Sequence, residues 1–140
     1  MDHVANQIYR PNLGRKIPLL LAGIVAGLTL FAAAVQPGGP LFAYVWRVTM
    51  PTVSATVIVV LLLVARPRLE ISSQGVLVVN ILRRNSLVWS QIISVRFAQD
   101  APWASLDLAD GTRLLLMAIQ NSDGARARAM ALEIANLSNR

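Results

Sequence analysis

The stretch Ile17–Ala65 reads IPLLLAGIVAGLTLFAAAVQPGGPLFAYVWRVTMPTVSATVIVVLLLVA, and it decides the architecture. Neither Ile17–Val35 nor Val48–Ala65 contains an Asp, Glu, Lys or Arg. At about 1.5 Å of helical rise per residue each run reaches roughly 27–29 Å, close to the hydrocarbon thickness of a bilayer. An open strand cannot hide its backbone in lipid, so each run reads as a helix. Between them Gln36-Pro37-Gly38-Gly39-Pro40 is an uncharged turn by composition. The expected organisation is a basic tail, residues 1–16, then a transmembrane hairpin, 17–65, with spans at about 17–35 and 41–65. One cytoplasmic domain, 66–140, follows.

Composition agrees with a membrane class. Of the 140 residues 55% are hydrophobic and only 14% charged, against about 25% in soluble domains. The chain left after Ala65 suffices for one small domain and not for two. The absence of cysteine excludes disulfides, thiolate metal sites and thiol nucleophiles. The net charge of +6 is not gathered in one block. Arg10, Arg15, Lys16 and Arg47 flank the spans, and Arg66 and Arg68 follow the second directly. That distribution suits anionic lipid headgroups better than a nucleic-acid groove, so the bilayer's inner leaflet is the expected surface and no nucleic acid is expected.

Basic residues stand before the first run and after the second, with none in the turn, which places both termini in the cytoplasm by the positive-inside rule. Pro18 falls in the first turn of its helix, where a missing N–H matters little. A signal-peptide reading has Ala32-Ala33-Ala34 as a small-residue cleavage site, but the apolar stretch exceeds the roughly 7–15 residues of such a segment. Cleavage there would remove the first helix without moving the domain to the other side. Phe42, Tyr44 and Trp46 form a cluster of the interfacial kind. Arg47 among them reads as a snorkelling side chain, or as a buried charge awaiting a partner. Pro51 opens the second uncharged run, or kinks a longer helix that begins near Leu41. Gly23 and Gly27 make a GxxxG ridge, doubled by Ala22 and Ala26, that permits close approach of the second span or of another copy.

From Arg68 the period changes to two. Leu69 and Ile71 alternate with polar neighbours, and Ser73-Gln74-Gly75 turns the chain into the run Val76–Leu82. Arg83-Arg84-Asn85-Ser86 reads as a polar turn before a short strand at Leu87–Trp89. Ile93, Val95 and Phe97 define the inward face of the next strand, and Ala104, Leu106 and Leu108 that of another. Asp110-Gly111 signals a hairpin into Arg113–Ile119. Six strands at this spacing suggest an antiparallel meander. Ser122-Asp123 then offers a cap for a helix whose Ala127, Met130, Ile134 and Leu137 share one face, leaving Arg126 and Glu133 to solvent.

Trp89-Ser90-Gln91-Ile92, Ser94-Val95-Arg96-Phe97, Trp103-Ala104-Ser105-Leu106 and Asp110-Gly111-Thr112, followed by a closing helix, carry a resemblance. The chain resembles the bacterial pleckstrin-homology-like (PH) family of actinobacterial low-molecular-weight protein antigens, over about Arg68–Leu137. The resemblance implies an α+β fold, a small antiparallel sheet or half-barrel closed by a C-terminal helix, in a two-span membrane protein. Six strands are one fewer than a PH barrel has. Eukaryotic phosphoinositide-binding relatives use a basic loop between their first two strands. The loop read here in that place, Ser73-Gln74-Gly75, has no cation, so phosphoinositide recognition is not carried over.

Catalytic chemistry finds little footing. The single histidine, His3, lies in the tail; Asp110 has a turn role and Asp107 a solvent-facing one; Glu70 and Asp100 lack an obvious partner. No enzyme, metal or cofactor is expected. Arg66, Arg68, Arg83 and Arg84, with Arg15 and Lys16, read as topogenic charge and an exposed turn. The functional alternative is a surface held against the inner leaflet at about 1 kcal/mol per cation. Two function classes follow: a scaffold that binds a protein or copies of itself, and a binder of anionic headgroups or small ligands. An exposed Trp103 would favour the first and a concave basic pocket the second.

Overall fold

The computed structural model describes residues 7–35 and 38–139; His3 and the Gln36-Pro37 part of the turn lie outside them. Two compact units result, one from the chain up to Arg15 together with Arg66 onward, the other Lys16–Ala65.

The second unit is a helical hairpin. Helix α1 runs Leu13–Ala34 and helix α2 runs Pro40–Val64, each long and apolar enough to cross a membrane. Pro40 opens α2, and Pro51 lies well inside it, so the longer of the two readings of that helix is the observed one. Without an N–H, Pro51 returns no helical bond to the carbonyl four residues back. Ala22 is buried on α1, and Thr29 Oγ1 lies 2.6 Å from Ser54 Oγ, which joins the two helices.

Among the described residues the first unit holds seven strands, not six. The missing one is β1, Gln7–Tyr9, in the stretch read as a tail. It pairs antiparallel with β2, Arg68–Ile71, in the register Gln7↔Ile71, Ile8↔Glu70, Tyr9↔Leu69. The hairpin is therefore an insertion between the first two strands of the domain. Strands β3 (Gly75–Val79) and β4 (Arg84–Val88) complete a four-stranded meander in the order β1-β2-β3-β4. A 3-10 turn, Trp89–Gln91, leads to the three-stranded sheet of β5 (Ile92–Arg96), β6 (Trp103–Leu108) and β7 (Arg113–Gln120). Helix α3, Ala125–Ser138, closes the fold.

The core lies between the sheets and under α3. Tyr9, Leu69, Ile71, Val76 and Val78 meet Ala104, Leu106, Leu116 and Ile119, with Ala127 and Ile134 from the helix. Met130 and Leu137 pack against this cluster, as the helix's face predicts. Burial of this apolar surface is the main favourable term.

Four local readings give way. Arg84-Asn85-Ser86, read as a turn, begin β4 and pair with Leu77–Val79. Asn80 ends β3 rather than continuing it: its Nδ2 donates to the Leu115 carbonyl at 2.8 Å and its Oδ1 accepts from Met117 N–H at 3.2 Å, tying the two sheets together. A bulge between Ile92 and Ser94 turns Ile93 outward, 63% exposed, while Ile92 takes the buried place. Asp123 does not cap α3, whose N-cap, Gly124, has φ +56°. Its carboxylate instead accepts from Asn12 N–H at 3.0 Å and more loosely from Leu13 N–H at 3.5 Å, satisfying open donors where α1 begins.

Gly75 sits where β3 and β4 nearly touch. A Cβ there would lie 2.0 Å from the Leu87 carbonyl oxygen, a backbone atom. Gly75→Ala is expected to destabilise the domain by about 2 kcal/mol, through forced strand separation, read as a lower urea midpoint of the full-length chain in detergent.

Candidate functional site

The register decides where the basic residues go. Arg68 pairs with Val79, and Val79 with Arg84. The two arginines therefore share a face at one end of the four-stranded sheet, two strand spacings or about 10 Å apart. Arg66 precedes β2 by two residues and Arg83 precedes β4 by one, so all four predicted cations collect at that end. Arg10 follows the last residue of β1, whose partner is Leu69, and joins them, a member that the charge pattern alone does not reveal. Arg68 is partly buried and donates from Nε to Glu70 Oε1 at 2.6 Å. Arg66, Arg83 and Arg84 are exposed. Arg15 is exposed in the first turn of α1, and Lys16, also exposed, falls in the hairpin unit.

The opposite end of the same sheet carries the Ser73-Gln74 turn. Trp89 Nε1 donates to the Ser72 carbonyl at 3.1 Å, and Gly75 N–H donates to Ser72 Oγ at 3.3 Å. This turn joins the second and third strands. The segment between strands one and two is the hairpin itself, with Arg10, Arg15 and Lys16 at its start and Arg66 at its end. Ser73-Gln74-Gly75 is therefore not the loop between the first two strands, and its lack of cations says nothing about phosphoinositide recognition.

The outer face of the four-stranded sheet holds a concavity of about 310 Å³, bordered by Ile8, Glu70, Leu77, Ser86 and Val88 among others. No Lys or Arg lines it. On the other sheet Trp103 is exposed. Asp107 is more engaged than a solvent-facing residue: it accepts from Ser94 Oγ at 2.8 Å, from Arg96 Nε, and from Arg113 Nε at 3.0 Å. The Ser94 hydroxyl, then the arginines, lower its pKa to about 2. Its contribution to stability is thus complete above the ordinary value of 3.8 and fades as pH falls towards about 2. Asp107→Asn is expected to melt below wild type at pH 7, and the two curves to converge by pH 2. Asp110 accepts from Thr112 N–H and Oγ1 at 2.8 and 2.6 Å, the turn role expected of it. Among the described residues no group of His, Asp or Glu could hold a metal ion.

In the hairpin, Gly23 and Gly27 are exposed, and a Cβ at either would meet nothing within 4 Å. Among the described residues nothing of α2 approaches them closely. Arg47 is exposed on α2 and borders a cleft of about 130 Å³ with Thr29, Ala33, Trp46 and Pro51.

Four strands, three strands and a closing helix are the plan of a PH-like domain. Residues 66–136 match the family model for the bacterial PH domain. The chain belongs to that family. It is 36% identical over 109 residues to uncharacterized proteins of Mycobacterium tuberculosis and Mycobacterium bovis, covering 78% of this chain and 69% of theirs. An aligned length of 109 residues exceeds the whole span from Arg66 to Arg140, so the likeness takes in part of the hairpin. No solved structure matches the chain significantly.

Proposed function

We propose that this protein is a non-enzymatic scaffold of the plasma membrane, related to the low-molecular-weight antigens of actinobacteria. Its hairpin crosses the bilayer twice, both termini are cytoplasmic, and its PH-like domain binds a protein partner. The pairing of β1 with β2 supports the topology, because both ends of the hairpin return to one folded body and an even number of crossings follows. The observation that carries the function is Trp103, 37% exposed on a domain whose four-stranded sheet holds a concavity lined by no Lys or Arg among the described residues. Large aromatics left in water mark protein contacts, and a headgroup pocket needs fixed positive charge. A pull-down from detergent-solubilised membranes with the full-length chain is expected to recover a protein partner that Trp103→Ala loses. Recovery unchanged by that variant would remove the exposed aromatic from the account.

A second reading is favoured by the gathering of Arg10, Arg66, Arg68, Arg83 and Arg84 at one end of the sheet: an anionic-headgroup surface. At about 1 kcal/mol per cation, replacing Arg83 and Arg84 by Ala would weaken binding to an anionic leaflet about 30-fold. Lipid overlays with the full-length chain and this double variant read that effect. Tight binding to one headgroup that resists high salt would decide for this reading.

A further inference from the structure

In the order β1-β2-β3-β4 one edge of β1 pairs with β2 and, among the described residues, the other carries no strand. Facing that free edge is α3, and between them runs a groove of about 300 Å³ lined by β1, Arg126, Ala129, Met130 and Glu133. Ile8, the middle residue of β1, is 59% exposed beside it. An open strand edge with an exposed β-branched side chain is a template for another strand. Arg126 and Glu133 stand seven residues apart along the helix, about 10 Å, too far to pair with each other. Among the described residues neither belongs to an ion pair. Their midpoint is Ala129–Met130, and both residues line the groove together with Ile8.

We propose that this groove docks a second copy of the chain about a two-fold axis that passes beside Ile8 and Ala129–Met130, between the two copies. This deepens the interaction-module reading and rests on it. An antiparallel two-fold contact sets β1 beside its counterpart, centred on Ile8, and brings Arg126 to the partner's Glu133 and Glu133 to the partner's Arg126. One axis can serve both elements because Ile8 and Ala129–Met130, the centres of the strand and of the charge pair, line the same groove. A foreign peptide places no such self-complementary demand on the surface; a two-fold dimer does. The strand is short, so few hydrogen bonds form. Confinement of both copies to one membrane supplies the effective concentration that a weak contact needs.

The chain contains no cysteine, so single cysteines report without background. In native membranes under mild oxidant, full-length Ile8→Cys is expected to form a disulfide-linked dimer. Ile93→Cys, exposed on the other sheet, is expected to remain monomeric. In the Ile8→Cys background, Glu133→Arg sets like charges together twice per dimer and is expected to reduce dimer about tenfold. Adding Arg126→Glu restores opposite charges and is expected to restore the cross-link, with the urea midpoint of the double variant reporting separately the loss of Arg126 from the Tyr9 ring. Self-association by energy transfer without an Ile8 cross-link, or a double variant that fails to recover, overturns the groove while leaving the interaction reading in place. A chain that is monomeric in membranes yet still captures another protein through Trp103 does the same; a chain with neither property overturns both.

Discussion

The Ile134→Asp variant is expected to lose the folded strand domain altogether. Ile134 is fully buried where α3 closes the sheets, among Leu106, Leu116 and Ile119. A carboxylate placed there has no partner, and its desolvation costs several kcal/mol, comparable with the whole stability of a small domain. Trp89 and Trp103 belong to this unit, so thermal melting of the full-length chain in detergent by tryptophan fluorescence reads the loss. Leu132→Asp on the same helix, at a position 65% exposed, is expected to melt within a degree or two of wild type. Equal melting for both variants would mean that α3 is not docked.

The second large effect lies 125 residues away in the chain, at Tyr9. Its ring is 4% exposed, Arg126 lies over it with Cζ 4.8 Å from the centroid, and its hydroxyl is 3.5 Å from Asp123 Oδ2. Burial first, then the nearby Asp123 carboxylate, raises the phenol pKa, so the hydroxyl stays neutral at ordinary pH. Tyr9→Ala removes an aromatic from the core and is expected to cost about 3–4 kcal/mol, whereas Tyr9→Phe removes only a long hydrogen bond and costs less than about 1 kcal/mol. Urea midpoints of the full-length chain in detergent separate the two. If Tyr9→Ala left the midpoint where Tyr9→Phe does, the segment before the hairpin would not be part of the domain.

That segment also shows where reading the sequence stops. Two uncharged runs of helical length are unmistakable, and so are Leu69–Ile71, the Ala104-Leu106-Leu108 alternation and the face of α3, because each signal is local. Gln7-Ile8-Tyr9 is three residues long, close to Pro11, and separated from its partner strand by the entire hairpin, so no window of sequence contains the pairing. A count of six strands in a fold that needs seven was the available clue. Ile93 was misassigned because a bulge adds one residue and reverses the alternation after it. Asp123 has the residue type of a cap, but which helix it caps depends on packing, and it serves α1. The cations Arg66, Arg68, Arg83 and Arg84 were legible one by one; their convergence is a property of register.

The central claim is that one domain is divided by a membrane hairpin, with the strand before it and the strands after it on the same side. Single-cysteine variants Gln7→Cys, Gly39→Cys and Ser73→Cys of the full-length chain, treated in intact cells with a membrane-impermeant maleimide, test it most directly. A Cβ at Gly39 meets nothing within 4 Å, and Gln7 and Ser73 are exposed, so each change is tolerated. Gly39→Cys is expected to label from outside, while Gln7→Cys and Ser73→Cys label only after the membrane is permeabilised. Labelling of Gln7→Cys from outside with Ser73→Cys protected would put β1 and β2 on opposite faces and contradict it.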